Sequence, residues 1–160
     1  MIGAETVAFL EGGCALIVGT VAADGQPRAT RGWGLTVLPG SDPDELSVRL
    51  LLDGDDPVAR ENLAATAVIA ITAGNVRTLH STQLKGRSVG IEEATDPDRE
   101  RADRYVEAFV SDIVAVDRTP RELIVRMVPS GIVACTVAVT ELYDQTPGPG
   151  AGAPIAGSAS

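Results

Sequence analysis

The chain has 160 residues, enough for one domain with a sizeable core. Hydrophobic residues make up 44% of it but aromatic residues only 3%, so the core must consist mainly of aliphatic side chains, a composition that favours strands. A formal net charge of -9 argues against nucleic acid as a partner, because that binding needs many cationic side chains to neutralise phosphates.

The first half of the sequence predicts paired strands with a short helix on either side. The first helix ends at Glu11-Gly12-Gly13, because glycine commonly closes a helix. The turn Asp24-Gly25-Gln26-Pro27 joins two strands into a hairpin, since glycine tolerates positive φ and proline fixes its own φ. Asp56 and Pro57 suit the N-cap and first position of the second helix. The predicted elements are helices over 2–10 and 57–66, strands over 14–22, 28–38, 45–52 and 67–73, and a loop over 39–44.

The second half predicts one long helix between strands. After a turn at Gly74-Asn75, a strand runs over 78–92, and Asp96-Pro97 then opens the long helix with Asp96 as its cap. Apolar residues recur in this helix at helical spacing and form one stripe. Two last strands are predicted over 122–128 and 131–142. The apolar stripe consists of Ala102, Tyr105, Val106, Phe109 and Ile113.

Six or seven strands, one long helix and one or two short helices define an α+β fold. Because the strands cluster in hairpins with helices inserted between them, we expect an antiparallel sheet closed into a barrel. The folded domain should occupy residues 1–146. Residues 147–160 are almost all Pro, Gly, Ala and Ser, so we expect a flexible tail unless this segment docks on another part of the protein.

The predicted strand over 78–92 lies in a region with a distinctive charge pattern. Residues 62–91 contain no acidic residue, whereas they contain Arg77, Lys85 and Arg87. In an acidic chain such a positive region attracts a small anion. Residues two apart share one face of a strand, and their hydroxyl, amide and ammonium groups would suit a phosphate and a polar ring edge. An ordinary solvated face with salt bridges is the alternative. The residues predicted to share this face are Arg77, Leu79, Ser81, Gln83 and Lys85.

The segment Thr30-Arg31-Gly32-Trp33-Gly34 is the second unusual feature. Two glycines around the only tryptophan weaken a strand, so they predict a β-bulge, or a flat ligand close to the backbone, with the bulge favoured. Closing the barrel would bring cations from several strands together, where a phosphate would gain charge-assisted hydrogen bonds. These cations are Arg28, Arg31, Arg49, Arg60 and Lys85.

No metal site and no catalytic triad can be argued from the remaining residues. Cys14 and Cys135 lie in apolar surroundings and are expected to be buried free thiols. His80, predicted to lie on the strand face opposite Ser81 and Gln83, suits a structural role better than a metal or haem ligand. The N-terminus lacks the basic start of a secretory signal, and no apolar run is long enough to cross a bilayer, so we expect a cytoplasmic protein without membrane partners.

Several short motifs occur in a characteristic order. They are Leu10-Glu11-Gly12-Gly13, Asp24-Gly25-Gln26-Pro27-Arg28, Asp56-Pro57-Val58-Ala59-Arg60-Glu61-Asn62-Leu63 and Gln83-Leu84-Lys85-Gly86-Arg87. Over residues 7–143 this order resembles the pyridoxamine 5'-phosphate oxidase-like split β-barrel superfamily. The resemblance implies a homodimer of antiparallel six-stranded split β-barrels, with two FMN sites at the subunit interface. It further implies a flavoprotein oxidoreductase that acts on a small molecule.

The resemblance also implies a set of cofactor contacts, although it assigns no catalytic residue. Arg31 and Arg60 would hold the FMN phosphate together with residues of the fifth strand, and the segment 30–33 would lie along the flavin ring. The implied FMN-binding residues are Thr30, Arg31, Trp33, Arg60, Ser81, Gln83 and Lys85.

Two departures from the family pattern leave alternatives open. The substrate-binding C-terminal segment of pyridoxamine 5'-phosphate oxidases, with Trp, Arg and His, is replaced here by the Pro/Gly tail. Pro57 and Ala59 stand where basic residues for the FMN phosphate are expected. The alternatives are a haem-binding or haem-degrading split barrel that uses His80 or the tail, a deazaflavin in place of FMN, or a non-catalytic family member that has lost its cofactor.

Overall fold

The structure, a computed structural model, describes residues 2–40 and 45–155, so part of the predicted loop over 39–44 lies outside the described residues. Six strands form a closed antiparallel barrel in the order β1-β2-β3-β6-β5-β4 within these ranges. This architecture confirms the predicted α+β barrel. In chain order the elements are α1 (Ala4–Leu10), β1 (Ala15–Val21), β2 (Pro27–Leu38), β3 (Leu46–Asp53), α2 (Pro57–Thr66), β4 (Val68–Gly74), β5 (Ser81–Glu93), α3 (Asp96–Asp117), α4 (Arg121–Val125) and β6 (Ile132–Asp144).

The barrel interior is filled by aliphatic side chains from alternate strand positions, as the period of two requires. Leu16 and Val18 of β1 and Ile71 of β4 are fully buried there, whereas Ile17 between the first two is 43% exposed on the outside. One end of the barrel is closed by α2, whose buried Asn62 donates a hydrogen bond to the Thr20 hydroxyl (3.0 Å). Asp56 caps this helix through the Ala59 amide and Pro57 occupies its first turn, as predicted.

The long helix α3 packs on the outside of the barrel against β2 and β3. Gly13 lies under it, since a Cβ atom there would come within 2.7 Å of the Ala108 Cβ. Near the N-terminus of α3, Asp98 binds Arg49 of β3 with two contacts of 2.7 Å. The helix is capped by Thr95 rather than by Asp96, because Thr95 and Asp98 form a reciprocal capping box. The predicted cap was therefore one residue too late.

Two strand predictions differ from the structure. The predicted strand over 122–128 is wrong, since Arg121–Val125 forms α4; its short apolar run fits a strand or a helix equally well. The fifth strand begins at Ser81 rather than at residue 78. Before it, the Leu79 amide donates to the Asn75 carbonyl (2.8 Å) and Leu79 adopts a φ of 62°. Arg77 therefore lies in a turn, where it pairs with Asp112 (2.6 Å).

The predicted bulge in β2 is confirmed. The pairing of β2 with β3 shifts register between Gly32 and Leu35. Gly34, inside the shift, has a φ of 144°, which an L side chain rarely adopts. Within the described helices, none is both long and apolar enough to span a membrane.

The described part of the predicted tail folds back on the barrel. The Asp144 amide donates to the Ala153 carbonyl, and the Ile155 amide donates to the Leu142 carbonyl, both at 2.9 Å. Tyr143 and Pro154 also form an isolated antiparallel bridge. The segment up to Ile155 therefore docks on the end of β6, and residues 156–160 lie outside the described residues.

Candidate functional site

The outer surface of β1, β4 and β5 forms a face that we call the open sheet face. It is defined by Ile17, Gly19, Ala70, Thr72, Gln83 and Lys85. Strand register places Arg31 of β2 opposite Ile17, at one border of this face, and Gln83 opposite Thr72, at the other. The face combines small and apolar residues at its centre with polar residues along its borders.

Arg31 lies where the open sheet face meets α3. Its guanidinium carbon is 4.9 Å from the centre of the Phe109 ring and 5.9 Å from that of Trp33. Tyr105 stacks parallel on Phe109 (5.8 Å) and Trp33 is only 5% exposed, so the aromatic surroundings are firmly packed. Arg31 Nε is buried without a hydrogen-bond partner in the described structure. A buried cationic donor without a partner is costly, and an anion would satisfy it.

The polar residues at the other border are held by their neighbours. Gln83 donates from Nε2 to the Thr72 hydroxyl (3.1 Å). Lys85 Nζ lies 4.8 Å from the centre of the Tyr143 ring, in a cation–π contact. Tyr143 in turn donates its hydroxyl proton to Glu141, a hydrogen bond that raises the pKa of the phenol and keeps it protonated. These side chains are therefore oriented by contacts within the chain.

Distance separates the two borders. Arg31 and Gln83 are joined by a row of cross-strand partners through Ile17 and Thr72, so three strand spacings lie between them. At 4.7–4.9 Å per spacing the separation along the sheet is about 14 Å. One phosphate cannot contact both residues. A ligand that uses both must extend across the open sheet face.

Two predicted site residues have other partners. Thr30 lies near Asp56, the cap of α2; burial alone would raise the pKa of this carboxyl, but the Ala59 amide and the Thr30 hydroxyl lower it. Arg60 is exposed and donates from Nη1 to the Gly54 carbonyl (3.3 Å). It lines a separate groove of about 370 Å³. Within the described residues, no hydrogen bond or ion pair joins either side chain to Arg31.

Ser81 and His80 lie at the start of β5. The Ser81 hydroxyl donates to the Leu79 carbonyl (3.0 Å). His80 precedes the strand, so it is not on the opposite strand face as predicted. Its ring meets Phe9 edge-on with centres 4.5 Å apart, and its Nδ1 is 3.0 Å from the Thr146 hydroxyl. The described residues contain no group of three side chains suited to bind a metal ion.

The two cysteines are free and buried, as predicted. Burial raises the pKa of Cys14 to about 11 and also raises that of Cys135. Both thiols therefore stay protonated near neutral pH, and neither is suited to act as a nucleophile.

Sequence reasoning missed two contacts of the candidate site. Phe109 was assigned only to the core stripe of α3, although its ring also faces Arg31. Tyr143 lies just beyond the predicted strand over 131–142, although β6 includes it and register places it opposite Gln83. Both contacts depend on pairing between segments far apart in sequence, for which no local pattern exists.

Comparison with known proteins rests on structure, because the sequence matches no family model and no curated protein. HupZ from Group A Streptococcus is similar over 95% of this chain and 100% of its own, with a TM-score of 0.55 and 19% identity. A candidate pyridoxamine 5'-phosphate oxidase from Lactobacillus delbrueckii matches 89% of this chain and 93% of its own (TM-score 0.54, 17% identity). An FMN-binding protein from Syntrophomonas wolfei matches 88% of this chain and 86% of its own (TM-score 0.51, 8% identity).

This chain has the split-barrel fold of the pyridoxamine 5'-phosphate oxidase-like proteins. Within this split barrel, Arg31 offers an unpartnered donor for a phosphate, beside two aromatic rings. The far border of the open sheet face offers an amide and an ammonium group. The residues present therefore fit a long, flat ligand with a phosphate at one end.

Proposed function

We propose that this split-barrel protein is a homodimeric FMN-binding oxidoreductase that acts on a small molecule. The observation that carries the proposal is Arg31, a half-buried arginine whose Nε has no hydrogen-bond partner in the described structure. Its guanidinium lacks an ion pair with any described carboxylate, so an anion brought to it would gain a charge-assisted hydrogen bond.

FMN matches the two borders of the open sheet face. Its phosphate would bind Arg31, with Trp33 and Phe109 as packed support. Its ring carries polar edges that suit the amide of Gln83, the hydroxyl of Ser81 and the ammonium of Lys85. When bound, the flavin supplies hydride chemistry, while the protein supplies position and electrostatics. Thr30 and Arg60 have partners elsewhere, so the proposal does not depend on them.

A second copy of the chain would complete the site. The open sheet face exposes Ile17 (43%), and Val68, two residues before Ala70 on the same side of β4, is 41% exposed. Small residues such as Gly19 and Ala70 would allow close approach of another surface. A single face can contact only one side of a flat ligand, and pockets for small ligands usually enclose most of the ligand surface. A partner packed against the same face would supply the opposite wall, which supports the dimer.

The proposal is tested by measuring the melting temperature of the protein with FMN, haem and a deazaflavin in separate samples. Ligand at 100 times its dissociation constant stabilises a protein by about 2.7 kcal/mol, so a bound cofactor gives a clear shift. We expect the shift with FMN. A shift with haem alone that His80→Ala abolishes would support the haem alternative, and a shift with the deazaflavin alone would replace FMN. If none of the three ligands shifts the melting temperature, the alternative of a non-catalytic family member that has lost its cofactor is supported.

A further inference from the structure

A second groove lies on the barrel surface, away from the open sheet face. It has a volume of about 580 Å³ and lies between the first turns of α3 and the strands β2 and β3. Arg101 in this groove is eight residues before Phe109, so about 12 Å of helix separates it from the surroundings of Arg31. The groove is lined by Thr36, Arg49, Glu92, Thr95, Pro97, Asp98, Arg101 and Arg104.

The acidic residues of this groove are already paired. Arg49 binds Asp98 through two contacts of 2.7 Å and Glu92 through one of 2.5 Å. The N-terminus of α3 is satisfied as well, since the capping box uses Thr95 and Asp98. Neither the carboxylates nor the end of the helix therefore neutralises the other two arginines of the groove.

Arg101 and Arg104 keep positive charge that no close ion pair with a described carboxylate neutralises. Arg101 donates from Nε and Nη2 to the Leu35 carbonyl and from Nη2 to the Glu11 carbonyl, and within the described residues its Nη1 donates to nothing. No described carboxylate is within ion-pair distance of it. Arg104 is 4.0 Å from Glu100 and 64% exposed, a weak pair. Burial lowers the pKa of Arg101, and the nearby charge of Arg104 lowers it further, whereas Glu11 raises it. The two guanidiniums therefore repel each other.

We propose that this groove binds a small phosphate monoester through Arg101 and Arg104. A phosphate monoester carries between one and a half and two negative charges near pH 7, which matches the two guanidinium charges. Its three oxygens can accept from Nη1 of Arg101, from Arg104 and from the Thr36 hydroxyl, which lines the same groove. A carboxylate would neutralise only one of the two charges. The site is independent of the proposed flavin site, because it shares no residue with the open sheet face.

The experiment is a titration of the full chain with inorganic phosphate, followed by amide NMR, with acetate as a comparison anion. The variants are Arg104→Glu and, as the matched control, Arg99→Glu. Arg99 lies on the same helix with a similar exposure (57%) and pairs only with Asp96 (3.0 Å). Both variants change the net charge of the chain equally, so only the local effect differs.

In the native chain we expect saturable shifts at Thr36 and over 95–104, with weaker binding of acetate. Arg104→Glu should weaken phosphate binding at least about tenfold, since a repulsive charge replaces an attractive one, whereas Arg99→Glu should change it less than about twofold. FMN affinity should be the same in both variants, which separates this site from the flavin site. Equal phosphate affinity in the two variants, shifts confined to the open sheet face, or no saturable binding by the native chain would overturn the proposal.

Discussion

Three arginines on the outer barrel surface differ in how their charge is neutralised. Arg49 is bound by both Asp98 and Glu92, and these hydrogen bonds raise its pKa, which marks a structural role. Arg31 packs between aromatic rings with an unpartnered Nε, and Arg101 contacts only carbonyl groups. Of these three arginines, Arg31 and Arg101 pair with no described carboxylate, and they are the ones to which we assign ligands. Whether an arginine has a carboxylate partner therefore distinguishes a structural role from a ligand-binding role here.

The role of Asp98 gives a prediction about stability. The hydrogen bonds from Arg49 hold the pKa of this buried carboxyl far below its usual range, although burial opposes them. Because the folded-state pKa is depressed, the stabilisation is present above about pH 4 and is lost as the pH falls toward the folded-state value. Asp98→Asn should lower the free energy of unfolding by about 3 kcal/mol at pH 7, since it leaves a partly buried cation short of a partner.

Urea denaturation of both proteins between pH 7 and pH 2 measures this effect. The difference in the free energy of unfolding between the native chain and Asp98→Asn should become smaller below about pH 4. Asp96→Asn is the control, because Asp96 is 94% exposed and pairs only with Arg99, and it should change stability by less than about 0.5 kcal/mol. A gap that stays constant down to pH 2 would show that the ion pair is not its source.

The sequence predicts the role of residues whose contacts are close in the chain. It does not predict the role of residues whose partner is distant in the chain. Asp56 and Pro57 start α2, and their contacts lie within a few residues of them in the chain, so a local sequence pattern predicts their role. Arg31 and Arg49 look alike in sequence. They differ in the structure, because Asp98, 49 residues after Arg49, accepts hydrogen bonds from Arg49 and not from Arg31. The sequence also could not show that Arg101 contacts carbonyl groups and no described carboxylate, because those contacts are far away in the chain.

At the level of elements, the strand pattern was predicted well and the ends of elements less well. The hairpins of β1 with β2 and of β4 with β5 follow from turn residues and apolar runs. The start of β5 was missed because Asn75 organises a turn through its backbone and side chain, with the Arg77 and Thr78 amides donating to Asn75 Oδ1. The prediction of a strand over 122–128 failed because an apolar run this short fits a strand or a short helix equally well.

The open sheet face gives a prediction about assembly. Ala70 lies at its centre between Gly19 of β1 and Lys85 of β5. Ala70→Arg should place a long charged side chain in the proposed dimer contact and yield a monomer, while the folded barrel persists because the side chain points away from the core. Light scattering after size exclusion measures the mass, which should be twice 16.5 kDa for the native chain.

Ala64→Arg is the control for this change, since Ala64 is exposed on α2 and outside the face. It should leave the dimer intact. The assembly proposal fails if the native chain is monomeric with FMN present, or if Ala70→Arg remains dimeric.

For the whole molecule, barrel closure explains why scattered motifs act together. The strand order places β1 and β4 between β2 and β5, so Arg31 and Gln83 border one surface although 52 positions separate them in the chain. The resemblance to a known family predicted the closed barrel, but it grouped Arg31 and Gln83 around one phosphate, whereas three strand spacings separate them. It also grouped Thr30 and Arg60 with these residues, and their contacts with Asp56 and Gly54 show why motif order does not fix side-chain direction.

The role of Arg31 is tested by measuring the FMN affinity of the native chain, of Arg31→Gln and of Arg126→Gln by flavin fluorescence. Arg126 is exposed and follows α4, so its variant makes the same charge change away from the site. Arg31→Gln should weaken FMN binding by about 10- to 100-fold, because hydrogen bonds to a charged group contribute about 1.5–3 kcal/mol, while Arg126→Gln should bind as the native chain does. Equal affinity in all three proteins, or no binding by the native chain, would contradict the account.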